Sequence, residues 1–590
     1  MRRDRAALRA AAAPRRRAAA VLAALSVLAG GLLGTAGAAR VGLTDAAWTD
    51  AEHVSSTLRT RTTWCDAGLY RTSGRGQLFA GAVGTGTTAG VAAVAPVRAT
   101  NPGTGSSATP AGATSLGSAA YAAPLTAAAL QQGAAPLGSA VTPAASATAA
   151  TLNQYARAAS SGVGAGASGA VTNGGAVNPA AQAAGSGLPD LATVDVRALV
   201  TPQALATGIG AGPAADLTGL RLVPGTVASS TVRDACISRP STTRAYGVSA
   251  LRLEADSTAL RAAATSATSA ATTIRSNLAA TGPTAAAAAA NVNAVYRSNQ
   301  ELLNLLTPGT STGTLTMTVP DLPAAVAPLA GQTLGAGGPV QLNLATGRMT
   351  VDLAALTSAT QGVNGRPPNS EVLTAAVLGS ASSAVGSLLP AYRTSVLTAV
   401  STALATGTAT LVVSTPITLL GLSGEPTSVT FTGTLPQLRD QQGTVSVVVG
   451  NNNRCNALTS GSCTSVRNAL TSATGTAQLR AAAANALAST VYGATTTTPS
   501  APLATFGTAV TTATGALQPA LTNLPSVLSA QVNVQPDQPG ARTPGVALEA
   551  GELGVTALRV GATSTTRTAW LALGTSTAGP LAYRPAGSPG

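Results

Sequence analysis

The chain has 590 residues, of which 45% are hydrophobic, 9% charged and 2% aromatic. That hydrophobic share excludes a disordered chain, which combines low hydrophobicity with high net charge, and the shortage of aromatics leaves a core of small residues that gains its stability from many thin layers. Arginine supplies the whole basic side of the +14 net charge, with no basic stripe and almost no aromatic platform, which argues against a nucleic-acid partner.

Much of the charge sits at the N-terminus. Seven arginines and Asp4 lie between Arg2 and Arg17; taking these from 34 basic and 20 acidic residues leaves 27 against 19, a net +8. Residues 18–39 are uncharged and end in the small residues Ala36, Gly37, Ala38 and Ala39. A basic start, an apolar run and a small-residue end define a signal peptide over 1–39, cut by signal peptidase near Ala38 or Ala39. The alternative is a retained anchor, since about 20 apolar residues can span a bilayer. A run made mostly of Ala and Gly gains little from that. The chain is therefore expected to be extracellular, secreted or associated with the cell surface, and to meet a membrane only through this segment. Ala13 and Pro14 before the paired arginines make a poor twin-arginine signal.

Just beyond the cleavage region lie Trp48, Asp50, Glu52 and His53. His53 is the only histidine, so any triad, histidine base or histidine metal site would have to use it, on an arm ill suited to preorganise one. Four cysteines, Cys65, Cys236, Cys455 and Cys463, form an even set in an exported chain and favour two disulfides over thiol chemistry. Three pairings exist. The short polar spacing favours Cys455 with Cys463, leaving Cys65 with Cys236, bridges of about 2.5 and 5 kcal/mol on the chain-entropy model. Without a CxxC pair or a second histidine there is no metal set, and no cofactor is expected. A carboxylate pair, as in glycosidases, remains open in principle, but such clefts bind sugar on aromatics, and the chain has three Trp and three Phe.

From 59 to 97, apolar and aromatic residues between glycines predict short strands. Residues 100–187 shift to Ala, Gly, Ser, Thr and Pro and predict a loop-rich region or a thin repetitive sheet. Within them Gly164-Ala165-Gly166-Ala167-Ser168-Gly169 matches a dinucleotide fingerprint in form, but no clear strand precedes it, and it is assigned no function. Strands follow at 191–200, 217–223 and 248–253. A helical hairpin is predicted over 256–307, with Leu260, Ala264, Ala267, Ala271, Ile274 and Leu278 on one face and Val292, Val295, Asn299, Leu302 and Leu306 on the next, broken at Thr281-Gly282-Pro283.

Residues 310–450 predict mixed strand and helix. The hairpin at 340–353 sets Val340, Leu342, Leu344, Met349, Val351 and Leu353 on one face. Asn369 or Ser370 then caps a helix, and a second helix lies beyond Pro390. Strands resume at 411–420, 429–431 and 445–449. After the 455–463 loop, 467–525 is helical, interrupted by a Thr-rich linker at 495–500, and 528–580 returns to strands. An internal echo between 247–253 and 554–560 suggests a repeated sheet unit. The expected class is α+β and β-rich: an antiparallel body of short strands and hairpins with inserted alanine-rich helical hairpins and low-complexity loops.

Five stretches carry a family resemblance: residues 48–54; Phe79-Ala80-Gly81; Asn153-Gln154-Tyr155-Ala156 with 166–171; Asn364-Gly365-Arg366-Pro367-Pro368-Asn369-Ser370-Glu371-Val372-Leu373; and Ser529-Ala530-Gln531-Val532-Asn533-Val534-Gln535-Pro536. With a signal like those processed by SipW-type peptidases, the chain resembles the choice-of-anchor G family of actinobacterial surface proteins. The resemblance implies one long extracellular body over 40–590, of unassigned activity and with no catalytic residue to carry over. Relatives carry different C-terminal anchors, whereas here no LPxTG motif or apolar span follows Leu573. The expected role is a structural or adhesive surface component without catalytic activity. Its partners are then signal peptidase during export, and cell-wall polymer or other surface proteins afterwards. The competing readings are a wall-polymer binding module and a secreted carboxylate-dependent hydrolase.

Overall fold

The computed structural model describes residues 69–583, apart from 85–89, 104, 145–151, 179–181, 184–187, 236–240, 299–305, 420–421, 451–459, 490–499 and 564–567. The described residues all belong to one compact unit, Cys65–Gly590. The signal segment with Ala36, Ala38 and Ala39, the residues Trp48, Asp50, Glu52 and His53, and the cysteines Cys65, Cys236 and Cys455 lie outside the described residues. Cys463 is buried in the helix Ser460–Thr471, so the polar loop expected through 463 has already become helix at Ser460.

The fold is α+β with a β-rich body. Its strands form four antiparallel sheets of nine, seven, six and five strands. In the nine-stranded sheet the order is Ser370–Glu371, Leu528–Val534, Leu553–Ala562, Thr568–Ala578, Tyr70–Gly84, Val97–Asn101 and Ser107–Thr109, so the first long strand of the chain pairs with one of the last. The six-stranded sheet, Ser241–Val248, Val227–Asp234, Val163–Gly169, Asn153–Ala159, Ala120–Pro124 and Thr114–Gly117, lies face to face with it.

These two sheets approach unusually closely because their facing residues are Gly, Ala, Ser and Thr. A Cβ added at Gly74 or Gly76 would run into the backbone of Ala165 or Ala167, and one at Gly166 into the carbonyl of Arg75. Sheets packed through larger side chains stay about 10 Å apart. Polar ties cross the gap: Thr72 Oγ1 donates to the Ala159 carbonyl at 3.1 Å, Asn101 Nδ2 to Ala158 at 3.2 Å and Thr231 Oγ1 to Ser576 at 3.1 Å. Residues 100–187 thus supply the strands Ser107–Thr109, Thr114–Gly117, Ala120–Pro124, Val141–Pro143, Asn153–Ala159 and Val163–Gly169, together with the helix Ala127–Ala134. The glycine fingerprint is itself the strand Val163–Gly169, packed backbone to backbone, with no turn or helix start to receive a phosphate.

The seven-stranded sheet holds the predicted hairpin, Val340–Asn343 with Arg348–Asp352, and the strand Leu251–Ser257. In Leu251–Ser257 period-2 alternation buries Leu251, Leu253 and Ala255 and leaves Arg252, Glu254 and Asp256 half-buried. The five-stranded sheet buries Ala409, Leu411, Val413, Val429 and Phe431 and turns Thr and Ser outward.

Helices cover the apolar sheet faces. Ser257 caps Thr258–Ala279, accepting from Leu260 N, and the predicted apolar face is buried. Ser500–Asn523 lies between that helix and Ala375–Thr406, where Phe506 meets Tyr392 edge-on with ring centroids 5.6 Å apart. Ala375–Thr406 is the one helix among the described residues long and apolar enough to cross a membrane by length and composition. Its apolar side is used in packing: Leu378, Ala381, Val385, Leu389, Tyr392, Val396, Val400 and Leu404 are all buried.

Several local expectations are corrected. The helix runs through Pro390 instead of breaking there, because Leu389 and Tyr392 on either side are fully packed and hold one axis. Its cap is Thr374; Ser370 belongs to a strand, and Asn369 stands at φ 60. The two helices do separate at Thr281-Gly282-Pro283, which forms the first turn of Thr281–Ser298, but they are not a hairpin packed on itself: Thr258–Ala279 lies on Ser500–Asn523 and Thr281–Ser298 on Ala473–Leu487, and Leu306 begins the strand Leu306–Pro308. Only Ala192–Asp195 of the 191–200 segment is strand; Asp195 then caps a short helix. The echo at 247–253 bridges two strands in different sheets, whereas 554–560 is one strand, so the two share no fold unit.

Candidate functional site

Two of the resemblance stretches, residues 364–373 and 529–536, meet at the edge of the nine-stranded sheet. Ser370–Glu371 pairs with Gln531 and Val532. Around that pair Asn369 is the centre of a buried amide knot. Its backbone N–H donates to Asn533 O at 2.9 Å, and its Oδ1 accepts from Gln535 N at 2.7 Å. Its Nδ2 reaches the carbonyls of Gln535, Gln538 and Pro539 at 3.2, 3.1 and 2.9 Å. Gln531 Nε2 donates to Asn369 O, and Asn533 Nδ2 to Arg366 O. Glu371 completes the edge, accepting from Ser529 Oγ at 2.6 Å and Ala530 N at 2.7 Å. A left-handed φ with a short amide side chain is what asparagine supplies.

The knot holds the base of the 535–552 segment, which crosses the outer side of the strands Leu553–Ala562 and Thr568–Ala578. Arg244 grips its start through Gln535 and, at 2.6 Å, Asp537. Arg75 reaches Glu552 at 3.4 Å, and Arg98 pairs with Glu549. Between segment and sheet is a cavity of about 610 Å³ whose lining includes Val534, Arg542, Val546, Leu548, Arg559 and Ala572. A second cavity of about 500 Å³ lies across the Ser370–Glu371 strand and includes Arg366, Glu371 and Thr374.

The stretches at 79–81 and 153–156 form a junction too. Gln154 accepts from Leu78 N at 3.0 Å beside Phe79 and donates to Ala95 O at 3.0 Å. Asn364 Oδ1 accepts from Val248 N at 2.8 Å, and Tyr246 Oη donates to Val363 O while accepting from Arg366 N. Burial raises the Tyr246 pKa, the Arg366 contact opposing it.

Among the described residues, carboxylates take part in structural contacts. Asp195, Asp321 and Asp352 cap helices, and Asp216 accepts from Ser257 and Thr258 at 2.6 Å each. Asp190 faces Arg252, and Asp256 faces Arg221 and Arg348. Burial works to raise the Asp256 pKa, but the two arginines outweigh it and hold the carboxyl below its ordinary value. Asp537 and Glu552 both line the larger cavity, and each is held by its own arginine, Arg244 and Arg75. Among the described residues no group of three or more His, Cys, Asp or Glu could hold a metal ion.

Neither Arg559 nor the cavity was found by reading the sequence. In Gly554–Val560 the arginine reads as one more alternating outward residue, and only the segment folded over it makes it internal.

The protein is thus a body of facing small-residue sheets backed by helices, locked at one edge by an amide knot. It belongs to the family described as Domain of unknown function (DUF8394), whose model matches residues 74–579. No curated protein and no solved structure matches the chain.

Proposed function

We propose that the protein is an exported structural or adhesive component of the cell surface, of the choice-of-anchor G type, without catalytic activity. The observation that supports this reading is how the polar residues of the resemblance stretches are used. Gln154, Asn364, Asn369, Gln531, Asn533 and Gln535 are all at least nine-tenths buried and bonded to backbone or to one another, and the equally buried Asn153 donates to Asn173. Residues kept for such ties serve a rigid body. Catalysis instead requires polar groups aimed at a space where a substrate can sit. Export fits the sequence: a signal over 1–39 removed near Ala38 or Ala39, and two bridges, Cys65 with Cys236 and Cys455 with Cys463, that only an oxidising compartment preserves.

The test is cell fractionation with N-terminal sequencing and intact mass of the product. The expected result is a surface or secreted chain starting close to Arg40 and lighter by four hydrogens than the fully reduced chain. A chain that starts before Ala18, or that stays in the cytoplasm, overturns the reading. Retention on isolated cell walls that is released by salt identifies wall polymer as the adhesive partner.

A further inference from the structure

Three of the four sheets end in strands that resist the addition of another strand. Their outermost strands are Ser370–Glu371, Ser107–Thr109, Thr333–Leu334, Val141–Pro143 and Thr114–Gly117, too short to template a partner, and Ser241–Val248, which carries Arg244. The five-stranded sheet ends differently. One border is Thr444–Val449, beside the helix Ser460–Thr471. The other is Leu306–Pro308 followed by Thr312–Thr318, which pairs with residues 408–414 in unbroken register. Thr312–Thr318 contains neither a charge nor a proline, and among the described residues no second strand pairs with it. Its threonines, Thr312, Thr314, Thr316 and Thr318, are exposed, while Leu315 and Met317 pack against the core yet are only partly buried. The helix Thr281–Ser298 underlies the chain from Gly309, whose carbonyl accepts from Asn293 at 3.0 Å, to Gly313, where a Cβ would meet the Ala285 carbonyl. It begins one turn beyond Ala285, so its cover runs out toward Met317.

We propose that Thr312–Thr318 is the interface of a two-fold dimer, in which it pairs antiparallel with the same strand of a second copy and joins the two five-stranded sheets into one. Main-chain hydrogen bonds supply the attraction, as in other strand additions. The strand is its own complement. Centred on Leu315, the register sets Thr312 opposite Thr318 and Thr314 opposite Thr316, cross-strand threonine pairs of the favourable kind. On the inner face Met317, long and flexible, falls opposite Gly313, which has no side chain, and beside the start of the second copy's helix. This register uses all seven residues and completes the cover of Leu315 and Met317. A slip of one residue would set the threonine row of one copy against the core-facing row of the other and turn the second copy's helices to the wrong face. Because the patch meets itself, association closes at two copies and does not grow into a fibre. The proposal does not depend on the export reading.

Sedimentation velocity of the full chain over about 1–100 µM tests it. A reversible equilibrium between monomer and dimer is expected, and amide exchange across Thr312–Thr318 should slow as the dimer fills, a measurement that needs no variant. Thr314→Lys combined with Thr316→Lys sets lysine opposite lysine twice across the axis and should weaken association at least about tenfold. Thr314→Lys combined with Thr316→Glu sets lysine opposite glutamate in the same register and should restore the dimer, which added salt then weakens. Both variants change exposed side chains only. A monomer throughout the range, filaments in place of a dimer, or exchange across Thr312–Thr318 that ignores concentration overturns the proposal. So does a dimer indifferent to the paired lysines, or one that the lysine and glutamate pair fails to restore.

Discussion

Asn369 combines three demands that no other side chain meets together. Its φ of 60 excludes β-branched residues, its Oδ1 must accept from Gln535 N, and its Nδ2 must donate into three carbonyls that belong to the 535–552 segment. Asn369→Ala leaves the Gln535 N–H buried without an acceptor, and is expected to lower stability by about 2–4 kcal/mol in urea titration. Asn369→Gly, which relieves the φ cost alone, should recover only a small part of that loss; full recovery would mean the amide bonds contribute nothing. Asp256 sets a pH dependence. Its folded pKa is depressed, so its contribution is present above the unfolded value of about 3.9 and is lost as pH falls through the lower folded value. Wild type should therefore exceed Asp256→Asn in stability at pH 6, and the gap should close as pH drops below about 4. A gap that stays constant into acid would show that the two arginines do not select the charged form. The group is partly exposed, so added salt should narrow the same gap at pH 6.

Gly166 shows why the sandwich was hard to see in the sequence. In Val163–Gly169 the alternation sets Gly164, Gly166 and Ser168 against Val163, Ala165 and Ala167, a period-2 pattern with almost no hydrophobic amplitude, so for residues 100–187 the sequence does not separate a loop-rich region from a thin repetitive sheet. The helices were legible because Leu, Val and Ile recur at helical spacing against Thr and Ser, as along Thr258–Ala279. Pro390 misled because its cost depends on packing from Leu389 and Tyr392, which no local rule contains. The strand argument yields a paired experiment. Gly166→Ala places a Cβ against the carbonyls of Arg75 and Thr577, both in the facing sheet, and should cost about 3 kcal/mol or more because neither backbone can yield alone. Gly515→Ala, exposed in the helix Ser500–Asn523 with open space around the new methyl, should gain about 0.5–1 kcal/mol from helix propensity. Thermal melts of the two variants should move in opposite directions; a neutral Gly166→Ala would mean the sheets are not in backbone contact.

At the scale of the whole molecule, the ends of the body close on each other. Tyr70–Gly84 pairs with Thr568–Ala578 in a register running from Gly74 with Ala578 to Gly84 with Thr568, and Thr568–Ala578 in turn pairs with Leu553–Ala562. No sequence signal announces such a pairing, because antiparallel partners almost five hundred residues apart share nothing but complementary faces. The amide knot was hidden for the same reason: Asn369 and Gln535 read as isolated polar residues until the sheet brings them together. The closure makes the last long strand central, with Tyr70–Gly84 on one side and Leu553–Ala562 on the other, so its loss opens two edges at once. A chain ending at residue 563 should lose its cooperative melt and elute as an aggregate, since Leu558, Val560 and Leu78 lose the neighbours that bury them. A synthetic peptide covering 566–580 supplied during refolding should restore a monomeric, cooperatively melting body by strand addition. A truncated chain that stays monomeric with an unchanged melting temperature would show that the sheet does not depend on closure between its ends.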